Sequence, residues 1–327
     1  MKQLENRDYK YKRARVAILG AAGFIGRWVA HALCEEKAIV YLVVRNKGIA
    51  KKIFDEYRIS GQINEVNLQD QEAVKNLFKK IRPSITFNLA GYGVDRSEND
   101  EKIAYRINAN LVETICEIMN EIRDPGWKGQ DLVHVGSALE YGAIAGNLSE
   151  SSIPNPTTLY GKSKLSGTNN LSHFCKAFGI KGLTVRLFTV YGPGEQAGRL
   201  LPSLLETADT GKPISLTNGE QKRDFTYVED VAEGLMRLGL AKIKPGEIVN
   251  LATGKLLSVR NFVETAAGIL HIPHDRLRFG SIPTRAEEMK HNPVTLECLQ
   301  QLIAWIPPTE IVEGIHKTLD FEKMHRG

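Results

Sequence analysis

The run Val16-Ala17-Ile18-Leu19 passes directly into Gly20-Ala21-Ala22-Gly23-Phe24-Ile25-Gly26, and from Phe24 to Cys34 apolar residues recur at helical spacing. A buried strand, a glycine turn and a helix in immediate succession leave few folds open. Glycines permit the tight turn and let the backbone approach a ligand closely. The helix then presents unpaired N–H groups and the positive end of its dipole. A pyrophosphate suits such an end, so Gly20, Gly23 and Gly26 are expected to cradle a dinucleotide.

Further strands and helices alternate along the next stretch. Ile39 to Val44, Ile85 to Leu89, Leu132 to Val135 and Leu183 to Phe188 read as strands, while Ile103 to Met119 and Leu159 to Phe178 read as long helices. This order predicts an α/β fold with a doubly wound parallel (Rossmann) sheet over residues 15–190. After Tyr191 the pattern is broken by Gly192, Pro193, Gly194, Pro202 and Pro213. Residues 191–224 and 255–327 are therefore expected to form a smaller C-terminal, substrate-binding lobe. Residues 225–254 are expected to rejoin the large sheet, because Asp230 to Leu240 reads as a helix and Glu247 to Leu251 as a strand. Residues 1–14, with Lys10, Lys12 and Arg13, read as a basic tail.

Bulk properties exclude several classes. Of 327 residues, 42% are hydrophobic and 25% charged, as in ordinary globular proteins, which argues against a disordered or fibrous chain. No apolar run approaches the ~20 residues of a membrane-spanning helix. The first residues lack the apolar core of a secretory signal. Cys34, Cys116, Cys175 and Cys298 lie far apart, with neither a CxxC pair nor a metal-ligand spacing, and His271 and His274 have no ligand pattern around them. Reduced thiols, no metal and a cytoplasmic location are expected. The net charge of +5 favours anionic partners. A nucleic-acid role would rest on the tail alone, and none is expected.

The chemistry-bearing residues cluster between the strand Leu132 to Val135 and the helix Leu159 to Phe178. Tyr160-Gly161-Lys162-Ser163-Lys164 places a phenol and an ammonium at i and i+4, on one helix face. A free phenol titrates near ~10. A neighbouring ammonium favours the phenolate, so the tyrosine can exchange a proton with a hydroxyl or carbonyl oxygen while hydride moves. Ser137, just past the strand Val133-His134-Val135, can hydrogen-bond the same oxygen. At the end of the second strand stands Arg45, where NAD-binding folds of this kind place an acidic residue. A guanidinium there suits a ribose 2′-phosphate, so NADP(H) is favoured over NAD(H).

Together these segments resemble the extended short-chain dehydrogenase/reductases, the family of NAD(P)-dependent sugar-nucleotide epimerases, dehydratases and ketoreductases. The GxxGxxG spacing with Phe24-Ile25-Gly26 resembles that family's loop. Ser137-Ala138-Leu139-Glu140-Tyr141-Gly142 resembles its segment bearing the catalytic hydroxyl. The resemblance implies further cofactor contacts at Phe24, Ile25, Asn67, Leu68, Leu89, Ala90, Gly91 and Asn108, besides Tyr160 and Lys164. It implies substrate contacts at Thr189, where many relatives carry Asn, and at Arg223 and Arg285, which would pair with a diphosphate. It also implies a homodimer through the helices Ile103–Met119 and Leu159–Phe178.

The reaction is narrowed by what is missing. The sugar 4,6-dehydratases of the family carry Asp-Glu directly after the catalytic hydroxyl, and its sugar-acid decarboxylases keep the Glu. Ala138 and Leu139 occupy those places here and cannot transfer protons. A 4-keto-sugar reductase acting on a nucleotide-diphosphate sugar is the expectation. An NAD-dependent 4-epimerase is the alternative, and a non-catalytic dinucleotide sensor the second.

Overall fold

The computed structural model describes residues 10–95, 97–142, 144, 147–284 and 290–325. The first half alternates strand and helix: β1 (Arg15–Leu19), α1 (Phe24–Glu35), β2 (Ile39–Val44), α2 (Lys47–Glu56), β3 (Gln62–Glu65), α3 (Gln71–Ile81), β4 (Ile85–Asn88), α4 (Glu101–Tyr105), α5 (Leu111–Ile122), β5 (Leu132–Ser137), α6 (Leu159–Phe178) and β6 (Gly182–Leu187). The second half holds β7 (Thr189–Tyr191), α7 (Leu200–Thr210), β8 (Ile214–Ser215), β9 (Lys222–Tyr227), α8 (Val228–Leu240), β10 (Glu247–Leu251), β11 (Leu256–Ser258), α9 (Val259–Ile269), β12 (Leu277–Arg278), α10 (Glu297–Ile303) and α11 (Ile311–His325).

Seven strands form one parallel sheet in the order β10-β6-β5-β4-β1-β2-β3. The order reverses at β1, which lies between β2 and β4, and the crevice beyond that switch point is where such sheets bind ligands. Both faces are covered, so β1, β4, β5 and β6 are buried almost throughout. One core packs α1 and α8 against the sheet, and the other packs α3, α5 and α6 against the opposite face. β10 pairs with β6 at the sheet edge, Glu247 opposite Leu183.

A three-stranded sheet, β11-β9-β7, carries a third core with α7, α9 and α11, built on Phe225, Phe262, Tyr191 and Tyr227. Asp224 ties it to the end of β10, accepting hydrogen bonds from Thr253 N (2.9 Å) and Gly254 N (2.8 Å). Pro202 does not break the chain here: it sits in the first turn of α7, where a missing N–H costs no helical bond.

Two local expectations are corrected. Within the stretch read as a basic tail, residues 10–14 enter the fold: Tyr11 is 1% exposed and its hydroxyl donates to the Met236 carbonyl at 2.7 Å. The helix expected over Ile103–Met119 is interrupted by a π-helical turn, Arg106–Asn110, between α4 and α5. The apolar residues of α5 (Leu111, Val112, Ile115, Ile118) are buried within the chain itself, while Glu117 pairs with Lys75 at 3.0 Å. No helix among the described residues is long and apolar enough to cross a membrane.

Candidate active site

The site begins at the turn after β1. Gly20 adopts φ +77°, a conformation open to glycine, and a Cβ there would stand 3.1 Å from the backbone of Leu89 and Ala90. The ends of β1 and β4 can therefore lie close together. Gly23 is the N-cap of α1, with neither a side-chain cap nor an acidic residue in the first turn. Among the described residues, no carboxylate or hydroxyl reaches the N–H groups at this helix start, which fits them for a pyrophosphate. Phe24 and Ile25 pack half-buried on the first core, and Gly26 is buried.

Residues along the crevice take differing places. Arg45 is exposed at the end of β2, and the next residue, Asn46, caps α2 by accepting from Ile49 N at 2.9 Å. Asn67 is exposed and accepts from Gln69 N (3.1 Å), whereas Leu68 packs against the second core. Leu89 packs on the first core, Ala90 is buried, and Gly91 is exposed.

Asn108 sits in the π-helical turn and is fully buried. Its Oδ1 accepts from Tyr92 N at 3.1 Å, while its Nδ2 donates to the Tyr92 carbonyl and to Ser163 Oγ, each at 2.8 Å. One amide thus clamps the loop after β4 to the helix that bears Tyr160 and Lys164. Thr158 caps that helix, its Oγ1 accepting from Gly161 N at 3.0 Å.

Lys164 is 2% exposed, and its Nζ donates to the carbonyls of Ala90 (3.2 Å) and Val135 (3.0 Å). The same nitrogen lies 5.9 Å from the centre of the Tyr160 ring. Burial pushes the ammonium down to about 8, opposed by the charge of Glu140. Burial raises the half-buried Tyr160 phenol, and Glu140 and Glu98 add to this while Arg199 opposes them. The tyrosine is therefore protonated at neutral pH. Ser137 closes β5 in extended conformation, 9% exposed, with its Oγ accepting from Leu139 N at 3.2 Å. The parallel sheet brings the ends of β1, β4 and β5 side by side, and with them the glycine turn, Ala90 and Ser137.

Glu140, to which the sequence reading gave no role, is fully buried and ion-paired with Arg186, Nε to Oε2 at 2.8 Å. The partners lie on β6 and on the turn after β5, far apart in the chain, so no local pattern announces them.

The expected substrate contacts are less tightly gathered. β7 and β9 run parallel with Thr189 opposite Phe225, which leaves Thr189 one strand away from Arg223. Both side chains are half-buried. Arg285 lies outside the described residues.

The sequence model of the NAD dependent epimerase/dehydratase family matches residues 16–252. The chain belongs to that family. Among curated relatives, the dTDP-6-deoxy-L-talose 4-dehydrogenase (NAD(P)(+)) of Kitasatospora kifunensis is 25% identical over 316 residues, covering 93% of this chain and 94% of the relative. The UDP-glucuronate 4-epimerase of Thermodesulfobacterium geofontis is 26% identical over 322 residues, covering 94% and 95%. Among solved structures, UDP-glucuronic acid 4-epimerase from Bacillus cereus, in complex with UDP-glucuronic acid and NAD, superposes with a TM-score of 0.79 at 22% identity, covering 94% of this chain and 99% of the other. Family membership makes this chain an enzyme of the NAD-dependent sugar-nucleotide epimerase/dehydratase group.

Proposed function

We propose that the chain reduces a 4-keto sugar carried on a nucleoside diphosphate. The observation that carries this reading is that Ala138 and Leu139 are incapable of proton transfer and Glu140 is sealed in an ion pair, which leaves Tyr160, its phenol raised by burial, as the proton donor. A phenol held in its acid form is ready to protonate a carbonyl oxygen, which is what ketone reduction requires.

Gly20, Gly23 and Gly26 with the start of α1 would hold the dinucleotide's pyrophosphate, and Asn67, Leu68, Leu89, Ala90, Gly91 and Asn108 would line its path. A bound nicotinamide supplies the hydride. Ser137 then donates a hydrogen bond to the C4 oxygen and orients it. Tyr160 gives that oxygen its proton as the carbonyl carbon is reduced. Lys164 holds the cofactor ribose and favours the phenolate left behind, which recovers a proton from solvent. Arg223 and Arg285 pair with the substrate diphosphate, and Thr189 contacts the sugar. Arg45, at the end of β2 in the place of an acidic residue, favours NADP(H); the Bacillus cereus relative carries NAD, and direct titration with both decides. The family relation also suggests a homodimer through α5 and α6, which sedimentation tests.

The test supplies nucleotide-linked 4-keto-6-deoxyhexoses with NADPH or NADH and follows cofactor oxidation and the product alcohol. Stoichiometric oxidation supports the proposal. Interconversion of C4 epimers without net cofactor consumption would replace it with the 4-epimerase reading, which the Thermodesulfobacterium relative favours.

A further inference from the structure

Glu140 is unusual among the carboxylates here in being wholly buried at the catalytic end of the sheet. Its two oxygens reach three elements. Oε1 accepts from the backbone N of Ser137 at 2.8 Å. Oε2 accepts from Arg186 Nε on β6 at 2.8 Å and from Thr168 Oγ1 on α6 at 2.9 Å. Thr168 is one helical turn beyond Lys164, on the same face. The Arg186 guanidinium lies over the Tyr141 ring at 4.2 Å, and the Tyr141 hydroxyl donates to Asn250 Oδ1 on β10 at 2.9 Å.

Such an arrangement is costly to build. Two ions leave water completely, and replacing a pair of this kind with apolar residues is often neutral or stabilising. The sheet also concedes a side chain to it, since a Cβ at Gly136 would collide with Glu140 Oε1. A pair that stability alone does not require, aimed at the N–H of the residue proposed to orient the substrate oxygen, points to a positional role.

We propose that Glu140, anchored by Arg186, is the positioning residue of this site: it fixes Ser137 relative to the helix bearing Tyr160 and Lys164 and places a negative charge behind that lysine. The first half of this assignment rests on the reductase reading, because it matters through Ser137; the second does not. Lys164 is faced by Glu140 from the turn after β5, by the neutral, buried His134 from β5, and by Tyr160 on its own helix. Tyr160 is faced in addition by Glu98 and Arg199. Of these, Glu140 is the carboxylate that acts on both members of the pair.

The experiment compares the wild type with Thr168→Val, which cuts only the tie to α6, and with Glu140→Gln, which keeps an acceptor for Ser137 N but removes the charge. Should Glu140→Gln fail to fold with Arg186 stranded, Glu140→Gln/Arg186→Met removes the charge without leaving an unpaired guanidinium. The Lys164 ammonium is titrated by NMR of lysine labelled at Cε, assigned through Lys164→Met, in the apoprotein. The expected result is a midpoint lowered by about one pH unit once the carboxylate charge is gone. In steady state, folded Thr168→Val is expected to lose about tenfold in kcat with KM within about twofold, the mark of an interaction made in the transition state. An unmoved lysine midpoint in a folded charge-removing variant overturns the proposal, as does wild-type kcat in Thr168→Val. If the wild type turns over no keto-sugar nucleotide, the reductase reading fails and the titration alone decides the role of Glu140.

Discussion

The Nζ of Lys164 donates to the Val135 carbonyl at 3.0 Å, two residues before Ser137 on the same strand. The cation of α6 is thus tethered to the backbone of β5 rather than left to swing toward solvent. Helix and strand present their functional groups as one rigid surface, and each consequence of altering that surface can be measured.

Replacing Tyr160 by Phe keeps the ring packing beside Gly93 and removes only the proton donor. We expect turnover to fall by about 10²–10⁴-fold with little change in thermal midpoint. Stopped-flow cofactor oxidation and a melt on the same preparation check this. Turnover near wild type would remove Tyr160 from the mechanism.

Lys164 titrates at about 8 in the fold against an ordinary value of 10.5. The folded state therefore binds fewer protons than the unfolded chain between those values, and stability rises with pH across that window. Below about 8 the penalty of the buried charge is fully present. Lys164→Met carries no such penalty. Its advantage in melting temperature over wild type should be largest near about pH 7 and shrink toward about pH 10. A constant gap between paired melts would contradict this.

Arg45 is the residue on which dinucleotide choice turns. Arg45→Asp should weaken NADPH binding by about tenfold or more while leaving NADH within a few-fold, because a 2′-phosphate would then meet a like charge. Fluorescence titration of both cofactors reads the ratio. Equal effects on the two would show that Arg45 does not face the ribose.

Asp224 accepts from Thr253 N, Thr253 Oγ1 and Gly254 N, and so joins the small sheet to the large one. Asp224→Ala strands those part-buried donors and should cost about 2–4 kcal/mol. Urea denaturation measures it, and a loss below about 1 kcal/mol would mean the lobes are held by other contacts.

The sheet and the Tyr160–Lys164 helix were legible in the sequence because their signals are local. Strand, glycine turn and helix follow one another within Val16–Cys34, and Tyr160 and Lys164 share a face through helical periodicity alone. What escaped depended on distance. Glu140 between Leu139 and Tyr141 reads as an ordinary charge, and only the parallel pairing of β5 with β6 brings Arg186 to it. Tyr11, among Lys10, Lys12 and Arg13, reads as tail until α8 supplies the Met236 carbonyl. Pro202 read as a breaker because its position within the first turn of α7 follows from where the helix starts, which composition does not reveal.

The π-helical turn Arg106–Asn110 carries a consequence for how this chain can change over time. A π turn holds one residue more than the α-helical path around it. Removing a residue there would restore a regular turn and keep α4 and α5 in phase, while re-aiming the residues of the turn itself. Asn108 would then lose its aim at Tyr92 and Ser163, whereas a length change within α5 would turn its buried face by about 100° per residue. Substitutions along α4 and α5 can therefore accumulate freely on the outer surface, but an insertion or deletion between Glu101 and Ile122 severs either the clamp or the core. The length of this stretch is fixed more strictly than its spelling.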